Sequence, residues 1–495
     1  MLARSRILAA LAAILLAGCP TDRGLEGDAE PDPDGPEVDD VLDARDPADD
    51  PLEELNADAP PSTAETWVVT LGGEGGQEGE AVSVAETPDG GYIVLGSTRE
   101  PGTHLHSDAW LFRLDPHGNV EWQETIGDPG VDIGEGVAVL PDGSVVFVGG
   151  TDLSDAGDDL TPWLGRTDAG GTLLWEKSVT DAGFNKLTTV APDLAGGVVA
   201  CGQVYSYEHG GDVAWIARID GEGRIQWQRI AVGDGVVGLP ASVIVDPTVG
   251  IVVAGYVYGS SVEGNDAWIA VLGMDGELAW QKRLDGFSGD SIAAVSVDGE
   301  GTLYAAGAAM DSSPSLVHTF VVKVDHRGRV LETMPYIVDE SFAVRSAAFT
   351  REGRFVLAGG RSYPPIDSHS NHMIAVLDED LVVQGTVQFG ILERNTIFSV
   401  MDDSAGSIVV AGRTGEYDDE SVYVNSRLTV ARLSGLLTVD GGCPILESAT
   451  VDETHGLYFA EVVPGIAFLP ADNSLVDGTA EVVETHVTPR FICPE

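Results

Sequence analysis

The side chains best suited to chemistry in this chain are carboxylates gathered on connecting segments. Asp128 and Asp132 flank one such segment, and Asp152-x-x-Asp155-x-x-Asp158-Asp159 crowds another. Oxygen-rich clusters suit a hard cation, so calcium is the one cofactor candidate and no other is expected. The spacing matches no established calcium loop, and the alternative is an acidic surface that serves solubility. His104-x-His106 and His369-x-x-His372 invite a zinc reading, but no HExxH or Cys/His cluster supports it, and exposed loop histidines are the plainer reading. Gly-x-Ser-x-Gly and Walker patterns are absent from the sequence. Paired acids for glycoside cleavage are too abundant to choose among, so no catalytic residue is assigned. With 80 acidic against 26 basic residues, the formal net charge of -54 argues against nucleic acid and anionic membrane surfaces as partners.

The cysteines divide into three kinds. Arg4 and Arg6 precede an apolar stretch from Ile7 to Ala17, which is shorter than the about 20 residues a membrane-spanning helix needs. The stretch ends in Leu16-Ala17-Gly18-Cys19, which resembles the lipobox of bacterial lipoproteins. That resemblance implies a signal peptide over 1–19, an acylated Cys19 and attachment to a membrane through a lipid anchor. Pro20 follows, not an aspartate of the inner-membrane retention type, so an outer-membrane cell-envelope address is expected, facing either periplasm or surface. An ordinary secretory signal is the alternative. Cys443 and Cys493 form an even pair in an exported chain and read as a disulfide. Closing that loop would contribute about 4 kcal/mol on the chain-entropy model. Cys201 lies inside an apolar run and reads as a buried, inert thiol.

Residues 20–65 are rich in Asp, Glu, Pro and Ala and read as a disordered acidic tether. Beyond it the chain repeats. Trp110/Trp122, Trp163/Trp175, Trp215/Trp227 and Trp268/Trp280 are pairs 12 residues apart, recurring every 52–53 residues. An apolar run ending in glycine recurs at Gly96, Gly149, Gly202, Gly255, Gly307, Gly359 and Gly412. Seven marks predict seven units over 66–437. Each reads as four short strands separated by Asp-Gly, Gly and Pro turns. Phe320 and Met373 stand where the later units lack the first tryptophan, and Glu332 and Gly385 where they lack the second.

Four-stranded units of this length fit an all-β, seven-bladed β-propeller. The seventh unit lacks a fourth strand, and Trp67-Val68-Val69-Thr70-Leu71-Gly72 is expected to supply it and close the ring. Leu114-Asp115-Pro116-His117-Gly118-Asn119-Val120-Glu121-Trp122 resembles the Asp-x-x-x-Gly-x-x-x-Trp of PQQ-like bacterial propeller repeats, with one residue fewer between Asp115 and Gly118. The resemblance spans 66–437 and implies fold alone, since PQQ enzymes usually carry eight blades and no cofactor ligand carries over. Residues 438–495 read as a small β-rich segment held by Cys443 and Cys493.

Strand alternation places the tight turns on one face and the longer, acidic loops on the other. The expected function is a membrane-anchored, non-enzymatic scaffold that binds a protein or glycan through the acidic loop face. The alternatives are an envelope carbohydrate-active enzyme and an outer-membrane assembly scaffold.

Overall fold

The computed structural model describes residues 66–433, except 73–77, 100–106, 128–129, 153–159, 180–184, 234–235, 260–263, 286–288, 311–316, 338–341, 363–369, 391–393 and 418–422. It also describes seven short strands between 446 and 491. The regular structure among these residues is all β. Six four-stranded antiparallel units cover 78–127, 132–179, 187–233, 236–285, 289–337 and 342–389. Three strands within 394–433 make a further unit, and its fourth strand is Trp67–Leu71, paired antiparallel from Trp67↔Arg432 to Leu71↔Leu428. The strand expected to join the two ends of the repeat therefore does pair where the sequence placed it.

The seven glycine marks have a common cause. In every unit the register slips by one residue on the first strand opposite that glycine, a β-bulge. The unpaired residues are Val82, Glu135, Thr188, Ala241, Ala293, Arg345 and Phe398. A Cβ on Gly149 would lie 1.8 Å from the Ile133 carbonyl oxygen, and one on Gly255 1.9 Å from that of Leu239. Only glycine lets the bulged carbonyl approach so closely. Serines just past the bulge then reach the next unit. Ser83 Oγ accepts from Val137 N (3.2 Å), Ser346 Oγ from Val400 N (3.1 Å) and Ser399 Oγ from Val84 N (3.3 Å). First strands contact in succession along the chain, and 394–402 also contacts 78–86.

The tryptophans divide the packing between them. The first of each pair lies opposite the bulge glycine and is fully buried, as at Gly149↔Trp163 and Gly255↔Trp268. The second reaches the tight turn of the following unit. Trp122 Nε1 donates to Ala169 O (3.2 Å), Trp175 to Gly221 O (3.0 Å), Trp227 to Met274 O (2.9 Å) and Trp280 to His326 O (3.0 Å). Trp67 completes the series by donating to Pro116 O (3.1 Å). Each ring lies over the positive-φ glycine of that turn: a Cβ on Gly276 would come within 2.7 Å of Trp227. Both tryptophans of each pair thus lie between units, the first in a core cluster shared with the preceding unit, as Trp163 with Leu95 and Leu111, and the second on the turn of the following one.

A buried ion pair marks the seam between the last unit and the first. Asp403 Oδ2 accepts from Arg432 Nε (2.7 Å) and from the Tyr92 hydroxyl (2.8 Å), while Oδ1 accepts from the Ser407 amide (2.8 Å). Burial works to raise the Asp403 pKa, but these hydrogen bonds outweigh it and hold the carboxyl below its ordinary range. Burial and the Asp403 charge push the Tyr92 hydroxyl up.

The described residues after the repeat are β-strands, as expected, and they pair with the repeat. These strands pair one by one with the outer strands of different units. Leu446–Ser448 pairs with the sixth unit, Asp452–Glu453 with the fifth and Ala460–Val462 with the fourth. Ile466–Pro470 pairs with the third, Leu475–Asp477 with the second and Glu481–Glu484 with the first. Arg490–Phe491 pairs with the Trp67 strand. Each pairing is antiparallel and covers part of an edge that would otherwise present unpaired amides and carbonyls.

Candidate functional site

The tight-turn links between first and second strands and between third and fourth strands fall within the described residues, whereas the described gaps fall on the opposite links. Asp128, Asp155, Asp158 and Asp159 lie outside the described residues, as do Cys19, Cys443, Cys493, His104, His106 and His369. Asp132 and Asp152 are described and are both 1 % exposed. The Asp152 amide donates to Val131 O (2.9 Å), and the segment carrying Asp132 bridges Ser107. Both acids are buried in the frame. Among the described residues, no three His, Cys, Asp or Glu side chains converge as a metal site.

The expectation of exposed loop histidines fails at His372. His318 and His372 lie in strands and are buried. The His372 ring lies 4.6 Å from that of Phe389, and neither ring nitrogen has a partner among the described residues. Burial pushes its pKa down to about 3. Cys201 is the buried free thiol the sequence suggested, and burial raises its pKa.

On the long-link side one link is fully described: Tyr207–Gly210 joins the second and third strands of the third unit. It carries Tyr207, which is 72 % exposed. Tyr205 meets Tyr207 edge to face, with ring centroids 5.2 Å apart. In the fourth unit Tyr256 and Tyr258 lie 6.4 Å apart, on one face of a strand. Asp212 ties the two pairs together: it is the register partner of Tyr205 and accepts from the Tyr258 hydroxyl. Its Oδ1 also accepts from Asn185 Nδ2 at 2.9 Å. Burial, then the Asp212 charge, push Tyr258 up to about 12. The phenol therefore stays neutral and donating at ordinary pH.

The result is a half-exposed patch of phenol rings around a carboxylate and an amide. Aromatic faces carry negative quadrupole charge and accept the C–H face of a saturated ring, while the carboxylate accepts hydroxyl protons. Sequence reasoning missed these residues. The signal was Tyr-x-Tyr shortly after the glycine mark in two successive units: Tyr205-x-Tyr207 after Gly202 and Tyr256-x-Tyr258 after Gly255.

Together the pairing and the repeat geometry define an all-β protein of propeller type, built from four-stranded antiparallel sheets. No family model matches the chain, and no curated protein matches it. Similar solved structures include a protein of unknown function from Dyadobacter fermentans, at 10% identity and a TM-score of 0.43, covering 74% of this chain and 98% of that one. A gluconolactonase from Xanthomonas campestris is 16% identical, with a TM-score of 0.33 over 61% of this chain and 85% of its own. An acylaminoacyl peptidase from Pyrococcus horikoshii is 11% identical, with a TM-score of 0.40 over 75% of this chain and 52% of its own. At such overlaps the chemistry of these proteins remains theirs alone.

Proposed function

We propose that this chain is a seven-bladed propeller, anchored to the cell envelope through lipid on Cys19, that binds a glycan on its long-link face. The tyrosine patch around Asp212 carries the reading, because it pairs ring faces with hydroxyl acceptors on a rigid frame. Closure into seven blades is supported by the succession of first-strand contacts, which returns from 394–402 to 78–86. A disulfide between Cys443 and Cys493 would act as a buckle. The first lies three residues before the strand on the sixth unit, and the second two residues after the strand on the Trp67 edge.

The test is a glycan array probed with residues 66–495, with and without calcium. Residues 438–495 must be kept, because they cover the outer edges of the units. A glycan bound by the native protein should lose about tenfold in affinity on Tyr207→Ala, the loss typical of one aromatic anchor. No glycan bound, or binding indifferent to Tyr207 and Tyr258, overturns the reading. Binding that requires calcium would point to the acidic loop residues, Asp128, Asp155, Asp158 and Asp159 among them. Cys19→Ser should move the protein from the membrane to the soluble fraction; retention at the membrane overturns the anchor.

A further inference from the structure

Asp212 is set apart from other inward-lying acids by its partners. Asp193, Asp266 and Asp403 are buried, and each pairs with an arginine: Arg218 (2.8 Å), Arg283 (2.9 Å) and Arg432 (2.7 Å). Asp212 is half-buried, and its partners are neutral, the Asn185 amide at 2.9 Å and the Tyr258 hydroxyl. Among the described residues no lysine or arginine pairs with it. Lys186, beside Asn185, is taken by Glu135 of the preceding unit. Neutral donors satisfy part of a carboxylate's hydrogen bonding without cancelling its charge, and about two of its four lone-pair directions stay open.

Strand register puts aromatic rings beside this carboxylate. Val198–Ser206 returns through Tyr207–Gly210 into Gly211–Ile219, which sets Tyr205 opposite Asp212. Partners of this kind project from one face of the sheet, with Cβ atoms about 5 Å apart. The link itself is pinned. Gly210 N donates to Ser206 O (2.8 Å), and the Ser206 hydroxyl accepts from the His209 amide (3.3 Å) and meets its ring Nδ1 (3.0 Å). Tyr207 is thereby held with its plane at 71° to that of Tyr205 and the ring centroids 5.2 Å apart. Two rings at that angle form a corner rather than a platform. A saturated sugar ring can lie flat on only one of them, whereas a compact, rounded cation can touch both.

We propose that the corner formed by Tyr205, Tyr207 and Asp212 holds an alkylammonium ion. This rests on the glycan reading of the patch and narrows the sugar to one with a free amine; a quaternary ammonium headgroup presents the same chemistry. The ring faces attract a cation through their quadrupoles, and the carboxylate attracts it by charge, so both forces favour the same ligand. A neutral hydroxyl would gain only a hydrogen bond to Asp212. With 80 acids for 26 bases, the whole chain also gathers cations, and the corner is told from that background by removing one charge at Asp212.

The test is calorimetry on the purified full-length protein at mildly acid pH, where sugar amines are protonated. The probes are a glucosamine trimer with free amines, its fully N-acetylated counterpart and choline chloride. The amine trimer should bind about tenfold or more tightly than the acetylated one. Asp212→Asn keeps the shape, removes the charge and should erase that preference; a preference that persists marks attraction by the overall charge and overturns the site. Tyr207→Ala removes an exposed ring and should weaken the cationic probes about tenfold at an unchanged melting temperature, so it reads the corner even where Asp212→Asn unsettles the fold. The amine trimer bound without choline assigns an amino sugar. Choline bound with neither trimer assigns a quaternary ammonium and overturns the glycan reading alone. A neutral array glycan that depends on Tyr207, with the cationic probes no tighter, overturns this inference and leaves the glycan reading standing. No binding by any probe or array glycan overturns both.

Discussion

The junctions between units are of two kinds. After the first four units, and across the seam from the last unit to the first, a tryptophan rests on the positive-φ glycine of the next tight turn and donates to a carbonyl of that turn. After the fifth unit neither half of the pair survives. Glu332 replaces the tryptophan, and the facing turn has Leu381, the one non-glycine at positive φ (59°) among the described residues. Leu381 is fully buried in the cluster that includes Tyr304 and Met373, so it fills space from the turn side. After the sixth unit Gly385 replaces the tryptophan, and the seventh unit has no third-to-fourth turn to receive one. Tryptophan and glycine thus behave as one device, kept or lost together, because the ring needs the space that a Cβ would fill.

That contrast can be broken most severely at the seam. Arg432→Ala strands the buried Asp403 carboxylate and should destabilise the protein by about 3–5 kcal/mol in urea melts. A loss no larger than that of an exposed arginine would remove the seam from the strong class. At a clamped junction, Trp227→Ala should cost about 2–3 kcal/mol, somewhat below a fully buried tryptophan. Gly276→Ala should cost about 1–3 kcal/mol through its clash with that ring and its positive φ. The two together should cost less than their sum, since without the ring the clash is gone; strict additivity would show that ring and turn are separate features.

The sixth unit should also be the acid-sensitive one. His372 has a folded pKa of about 3, below the ordinary 6.5. Between those values the unfolded chain binds the proton and the folded chain does not. Stability is therefore full above pH 6.5 and is lost as pH falls toward 3, by about 1.4 kcal/mol per unit. Going from pH 7 to pH 5 should cost about 2 kcal/mol more in the native protein than in His372→Leu. Parallel pH profiles for the two proteins would remove His372 as the source.

Much of the frame was legible in the sequence, and for local reasons. The glycine period, the Asp-Gly turns and the Trp67 strand each repeat a short pattern with strong steric demands. The cause of the glycine period was not legible, because the carbonyl that excludes a Cβ at Gly149 belongs to Ile133 on another strand. The paired strands of 446–491 are two to five residues long, too short for alternation to register. His372 read as a loop residue because it sits three positions after His369 among polar neighbours, yet strand pairing with Gly360 buries it. The tyrosine patch draws on two units: each repeat shows its own Tyr-x-Tyr, but nothing in either sets the two pairs about Asp212.

The order in which 446–491 visits the units has a consequence for biogenesis. The sixth unit is touched first and the Trp67 edge last, so the path runs against the order of synthesis. None of these pairings can form until the units they cover have been translated. Any chain released early leaves an uncovered edge ready to capture another chain, and the position of the break sets which edge. Stalled or clipped molecules should thus be distinguishable from finished ones by what they stick to, a readout of completeness written on the outside of the molecule.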